Sequence, residues 1–528
     1  MKRAAALLVV SIVLVSCATM QPRGQTLVSR AVQAAGGADA LAAVSTVSMR
    51  GMVREWEPEQ SMVAGGEMRF ACESVFEAMT DVSAGATRFD WSRSFAYPAP
   101  RAFTYTEIVT REAGYVAGID SNARTKQSLE AKPPAHTMSG LRLAAAQREL
   151  RRSSAVLLLE MAKNPSRVTA VEDVTVHGVT HPAVAYQAGD QTFTVMFDSA
   201  TGLPARIRTL DYDNIWGDVT YDLVLADWQT TGGARIATTR RYELNGRLVS
   251  ETKLTAVQVN RSFSSDLLAI PEAYRAGAAK PATGPVPYQW VLRRQFIGIY
   301  LDSDVPSYDT KATSGLRLVE LAPGVQHAVG GSHNSLAVEL RDGLIVFDSP
   351  VSDAQSSWLL GALKAKYPGK SVKYLVLTHH HMDHTGGLRA YAAQGATIIV
   401  GKGAGEHFRR VLAAPFTRNP DLAARDLGKT PIVEVADRHV ITDGQREVHA
   451  YRIDNPHAEG MLIGYVPDAK IGFVTDIWSP GAPLPEKLNP GLAALVGGVK
   501  KAGITPERFA GGHGGVAEYG PLAALEGK

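Results

Sequence analysis

The sequence predicts an α/β (α+β) chain in two parts: a mainly antiparallel β domain, then a region in which strands alternate with helices. Two patterns predict this. From residue 25 to about 275, alternating apolar runs are separated by short turn signals, the mark of successive hairpins. From about 289 to 528, strand-length apolar runs alternate with helix-like stretches such as 354–367. The 528 residues exceed what one ordinary core organises. A hydrophobic content of 45% with 20% charged residues describes a globular protein. The net charge of +3 is close to neutral for this length, so no nucleic-acid surface is expected.

The first residues read as an export signal. Lys2-Arg3 is a short basic region, and Ala4 to Val15 is apolar except for Ser11. That run is short for a bilayer span and suits a secretory signal. It ends Leu14-Val15-Ser16-Cys17, which resembles a bacterial lipobox. The resemblance implies cleavage after residue 16 and lipidation of Cys17, with 17–24 as a tether. Ala18 in the next position points to an exported lipoprotein of the outer membrane, facing the periplasm. Cys72 is the other cysteine, so no disulfide framework exists and thiolates cannot form a metal cage. Cys72 is expected to be a buried small hydrophobe.

The β domain is expected over 25–275. Gln25 to Ala35 has helical spacing and stops at Gly36-Gly37. Gln191–Phe197, Arg206–Leu210 and Asp218–Val224 read as strands. Arg240–Leu244 and Arg247–Thr252 flank Asn245-Gly246, a strong hairpin signal. A helical patch over 141–162 interrupts them. His136, His177 and His181 show no ligand spacing. The hairpin order and the turn Asp198-Ser199-Ala200-Thr201-Gly202-Leu203-Pro204 resemble the lipoprotein-carrier family, whose curved sheet cups acyl chains. That resemblance implies a possible acyl-chain ligand; the plainer expectation is a scaffold that spaces the second domain from the membrane or forms one wall of its pocket. The Pro/Gly/Ala-rich stretch 276–288 reads as a linker.

The second region, 289–528, opens with strands at 316–321, 335–340 and 344–347. Val372–Leu377 follows as a buried strand. Immediately after it come Thr378-His379-His380-His381-Met382-Asp383-His384-Thr385-Gly386-Gly387. Imidazoles and a carboxylate within six residues would be costly together without a cation, and they suit zinc. Further strand ends present Asn455-Pro456-His457, Val474-Thr475-Asp476 and Gly511-Gly512-His513-Gly514.

The segment resembles the His-x-His-x-Asp-His signature of the metallo-β-lactamase-fold hydrolases. His379, His381, Asp383 and His384 fall on its four positions, and Thr475 stands where the family usually has Gly. The resemblance implies a four-layer αββα sandwich with two zinc ions at one edge, in preference to iron or manganese. It assigns His379, His381 and His457 to one ion and Asp383, His384 and His513 to the other. Asp476 bridges them, Asp383 also orients the attacking hydroxide, and Asp348 supports the metal loop from behind. His380 takes an outer position. His333, His407, His439 and His449 are expected to be surface or core residues without a catalytic role. Pocket walls are expected at 415–425 and 478–490.

The implied activity is hydrolysis of a small-molecule ester, thioester, lactone, phosphate ester or sulfate ester. An Asp at 476 disfavours β-lactam hydrolysis, because the β-lactamase branches carry Cys or Ser there. Two alternatives stay open: a lipid- or ligand-binding lipoprotein with a vestigial metal domain, and an iron-dependent oxidoreductase of the same fold.

Overall fold

The computed structural model describes residues 23–122, 124–284, 286–298, 302, 313–331, 333–420 and 426–527. The export signal and Cys17 lie outside these residues. The chain divides into two units. The first comprises 1–56, 70–211 and 219–303; the second comprises 57–69, 212–218 and 304–528. The boundary therefore falls later than the expected linker at 276–288. The helix Tyr288–Ile297 buries Val291, Phe296 and Ile297 and belongs to the first unit. Two short excursions of the β domain, 57–69 and 212–218, belong to the second unit. Composition does not mark either excursion.

The first unit is built on a 13-stranded sheet among the described residues. Its neighbours are successive hairpins, except where the first strand, Thr46–Glu57, pairs antiparallel with the last, Arg247–Val259. Alternation decides the faces. In Arg69–Asp81, Ser74, Phe76 and Ala78 are buried while Glu73, Val75 and Glu77 are exposed. A helix at 23–34 lays Val28, Ala31 and Val32 against Phe193, Val195 and Ile207, together with Leu157, Leu158 and Met161 of the helix Leu157–Lys163. Cys72 is fully buried, and burial pushes its thiol upward.

The helix Gly140–Arg152, capped by Ser139, buries Arg142, Arg148 and Arg152. Arg148 pairs with Asp211 at 2.7 Å and Arg152 with Glu149 at 2.7 Å. Arg142 lies 2.5 Å from Asp120 and 2.6 Å from Asp302. Asp120, His136 and Asp302 come together here, a grouping that their sequence spacing hides. The Arg142 guanidinium already supplies the cation between the two carboxylates, so the cluster is a buried ion pair. A cavity of about 180 Å³ lies nearby, walled by Phe76, Phe89, Trp91, Leu150 and Phe296 among others.

The second unit packs two sheets face to face. One has seven strands, starting antiparallel at Arg317–Ala322 and turning parallel from Gly343–Phe347 through Val372–Val376 and Thr397–Gly401 to Ile432–Val435. The other has, among the described residues, six strands with one parallel pair, Ile471–Val474 with Arg508–Gly511. Phe347, Val376, Ile399, Leu462, Ile471 and Phe473 fill the space between them. The helix Pro490–Ala502 covers the second sheet through Leu492, Leu495, Val496 and Val499. The helices Asp353–Lys366 and Leu388–Ala393 flank the first sheet. The near-continuous burial of Gly343–Phe347 and Ile471–Val474 reflects cover on both faces. Among the described residues no helix is long and apolar enough to cross a membrane.

Candidate metal centre

Strand ends deliver the site. Val372–Val376 runs out into His379, His381, Asp383 and His384, and Gly343–Phe347 ends at Asp348. Ile471–Val474 ends before Asp476, Arg508–Gly511 before His513, and Glu447–Arg452 before the turn carrying His457. Asp348 and Asp476 sit in the left-handed region, at φ 60° and 55°. Non-glycine residues pay for that conformation, and such outliers cluster at functional sites. Gly387 is needed for close approach: a Cβ there would lie 2.0 Å from Ser356 Oγ.

All seven residues expected to hold metal converge. His379, His381, His457 and Asp476 each offer a donor atom, all within 4.8 Å of one another. Asp383, His384 and His513 form a second such group, joined by His333. The two groups meet at Asp476. Its Oδ2 lies 2.9 Å from His379 Nε2, 3.1 Å from His384 Nε2 and 3.0 Å from His457 Nε2; its Oδ1 lies 2.5 Å from His513 Nε2.

Two of these four contacts lack hydrogen-bond geometry. The Nε2 atoms of His379 and His384 are enclosed and lack hydrogen-bond geometry to any partner, despite lying about 3 Å from the carboxylate. Two donors that bind one ion at about 2.0–2.2 Å lie about 3–3.5 Å apart, so these separations are compatible with a shared ion. The donor set therefore fits divalent cations.

Charge supports the same conclusion. Burial, then the neighbouring His384, holds the His379 imidazole down to about 3, and burial with the adjacent rings holds His381 well below its usual value. Both are neutral at pH 7 with lone pairs available. His384 goes the other way: burial lowers it, but Asp476 and Asp348 outweigh burial and raise it well above the usual imidazole range. Asp476 is kept well below the usual carboxylate range, because His384, His457 and His513 outweigh burial.

Outer partners fix each ring. Asp348 is fully buried; its Oδ1 accepts from the Thr378 backbone N–H (2.7 Å), and its Oδ2 accepts from the Thr378 hydroxyl (2.9 Å) and His384 Nδ1 (3.0 Å). His384 Nε2 is thereby left for metal. His381 Nε2 meets the Ser61 carbonyl at 2.9 Å, which leaves its Nδ1 facing His457 Nε2, also at 2.9 Å. His380 is buried and meets the same Ser61 carbonyl at 2.8 Å through Nε2. Thr475 reaches the Thr378 hydroxyl at 3.1 Å, an anchor that a Gly would not offer.

Sequence reasoning missed three contributors. Gln60 Nε2 donates to Asp383 Oδ1 at 2.7 Å. Ser61 supplies the carbonyl just described. His333, expected to be a surface or core residue without a role, is buried at the site with its Nε2 3.0 Å from Asp383 Oδ2. A Gly-rich turn, Gly330-Gly331, just before a strand was the one local hint for His333; Gln60 and Ser61 had none. His407 is buried beside Trp216, while His449 is buried against Tyr451 and Glu447. Of the expected walls, 421–425 lies outside the described residues. Pro480 braces the His513 loop by accepting from Gly515 N–H at 2.7 Å.

Residues 328–515 match the family model described as the metallo-beta-lactamase superfamily. This stretch is similar to the metallo-beta-lactamase superfamily, over about a third of the chain. The metallo-β-lactamase fold is consistent with a metal-dependent hydrolase at the general level, and some superfamily members are oxidoreductases. Similar solved structures include a metallo-beta-lactamase from Pontibacter korlensis, at 18% identity and TM-score 0.31, covering 40% of this chain and all of that one. The stereoselective inverting sec-alkylsulfatase Pisa1 from Pseudomonas sp. shows 18% identity and TM-score 0.30, covering 38% of this chain and 39% of that one. The flavodiiron protein from Giardia intestinalis shows 17% identity and TM-score 0.30, covering 40% and 58%. No curated protein matches the chain.

Proposed function

We propose that the second unit is a dinuclear zinc hydrolase acting on an ester, thioester, lactone, phosphate ester or sulfate ester. The observation that carries this reading is Asp476, a single carboxylate met by ring nitrogens of four histidines drawn from both donor groups. His379, His381 and His457 would hold one ion, Asp383, His384 and His513 the other, and Asp476 both. Two zinc ions bound there would supply Lewis-acid polarisation of the substrate and a hydroxide nucleophile near neutral pH. Asp383, His457, Asp476 and His513 are each partly exposed, at 12–24% of their side-chain surface, so this is the side from which a substrate would approach. Gln60 Nε2 and His333 Nε2 lie against the two Asp383 oxygens, and Asp383 would orient the nucleophile and take its proton. The His333 contact and the nearby His384 outweigh burial and keep Asp383 ionised.

The test is metal analysis of the purified protein joined to a substrate panel of lactones, thioesters, phosphodiesters, sulfate esters and β-lactams. About two zinc ions per chain and turnover of one non-β-lactam class are expected. Asp476→Ala should retain the fold, lose metal and cut turnover at least about 100-fold, as loss of a shared ligand demands. Trace metal with no turnover refutes the proposal. Iron together with oxygen consumption on a persulfide donor would move the reading to an oxidoreductase. We further propose that the chain is exported and anchored through lipidated Cys17, on the strength of the Leu14-Val15-Ser16-Cys17 segment.

A further inference from the structure

We infer that His333 is itself a ligand of the second ion, so that this ion is caged by His333, Asp383, His384 and His513. The inference rests on the dinuclear reading above and adds a donor to it. Four observations carry it. His333, Asp383, His384 and His513 each present a donor atom, all within 4.8 Å of one another. His333 Nε2 lies 3.0 Å from Asp383 Oδ2, a hydrogen-bond contact whose length is also compatible with two neighbouring donors on one ion. The His333 ring centroid is 4.4 Å from that of His513 and 5.1 Å from that of His384, so the three rings converge. Gln60 already occupies the other Asp383 oxygen, which turns Oδ2 toward His333.

The turn bearing His333 is also built to hold this position. Asn334 Nδ2 donates to the carbonyls of Gly511 (3.0 Å) and Gly514 (2.9 Å), and the Asn334 N–H donates to Gly512 O (2.7 Å). The His333 turn is thus fastened to the loop that carries His513. On the far side, Gln355 Nε2 donates to the His333 carbonyl at 3.0 Å. The two ions would then differ. The first takes three histidines and Asp476, whereas the second takes four side chains and Asp476 and so favours five or six donors.

The experiment uses the full-length protein in detergent. Zinc and cobalt affinities are measured by chelator competition and metal analysis, with the visible spectrum of the cobalt form recorded. His333→Ala should weaken the second ion by about 100-fold or more while leaving the first unchanged, because loss of a direct donor costs at least as much as loss of an outer partner. It should also intensify the cobalt absorption, because lower coordination numbers absorb more strongly. Two isosteric variants separate ligation from hydrogen bonding. Glu can bind a cation but cannot donate to Asp383 when ionised, whereas Gln can donate but binds cations poorly. His333→Glu should restore affinity to within about tenfold of the parent, and His333→Gln should resemble Ala. Rescue by Gln and not Glu would reduce His333 to a hydrogen-bond donor and overturn the inference. Unchanged affinity and spectrum in His333→Ala would do the same. Circular dichroism of each variant checks that the fold is intact. Fewer than two ions in the parent protein would instead sink the dinuclear reading itself.

Discussion

Replacing Asp348 by Asn tests how the fold prepares an imidazole for metal. Asn matches Asp in size and tolerates the left-handed backbone at φ 60°, so the substitution adds little strain. Its carbonyl can still accept from the Thr378 N–H, now 2.7 Å from Oδ1. Its amide group would then face His384 Nδ1, 3.0 Å away, and can only donate. His384 Nδ1 must become the acceptor, which moves the ring proton onto Nε2, the nitrogen facing Asp476. Stability should fall by only about 1–2 kcal/mol: one charge-assisted bond is weakened, while the Thr378 hydroxyl can turn to Thr475 Oγ1 at 3.1 Å. Affinity for the second ion should fall more visibly, about 10- to 100-fold, because the donor nitrogen now carries a proton. Chelator competition measures the affinity, and urea unfolding of metal-free protein measures the stability. If the Asn variant binds both ions within threefold of the parent, Asp348 does not set the His384 tautomer.

Two further predictions test pH response and anchoring. His407 is buried with neither ring nitrogen hydrogen-bonded, and burial, with His380 and Arg410 nearby, lowers its imidazole to about 3. Its folded value lies below the ordinary 6.5, so the unfolded chain binds the extra proton and stability is lost as pH falls below about 6.5. At pH 5 that loss is about 2 kcal/mol. His407→Phe should therefore unfold at higher urea than the parent at pH 5 and show a shallower pH dependence in chelator; parallel pH profiles would contradict this. Cys17→Ser should leave the membrane fraction or accumulate with its signal uncleaved, read by fractionation and intact mass. Unchanged fractionation and mass would remove the lipid anchor from the proposal.

The residues that announce themselves in the sequence do so because their function needs local order. His379, His381, Asp383 and His384 share one short loop after one buried strand, so their spacing alone exposes them. His457, Asp476 and His513 each follow a strand end in an expected sequence. Ser335–Leu340 and Gln191–Phe197 were legible to the residue because strand alternation and apolar runs are local properties. The domain boundary was less so: the helix Tyr288–Ile297 is apolar enough to suit either unit, and only packing assigned it to the first.

What the sequence determined by itself was a β-rich half, an α/β half and a set of residues able to hold metal, since periodicity and clustering of donor side chains need no knowledge of distant partners. Tertiary structure decided which other groups attend that set. Gln60 and Ser61 lie more than three hundred residues before the histidine-rich loop, yet one donates to Asp383 and the other accepts from His381. His333 reaches Asp383 because Asn334 fastens its turn to the His513 loop. A hydrogen bond depends on where two atoms are in space, and the chain's local pattern carries no record of a partner brought in from far along it.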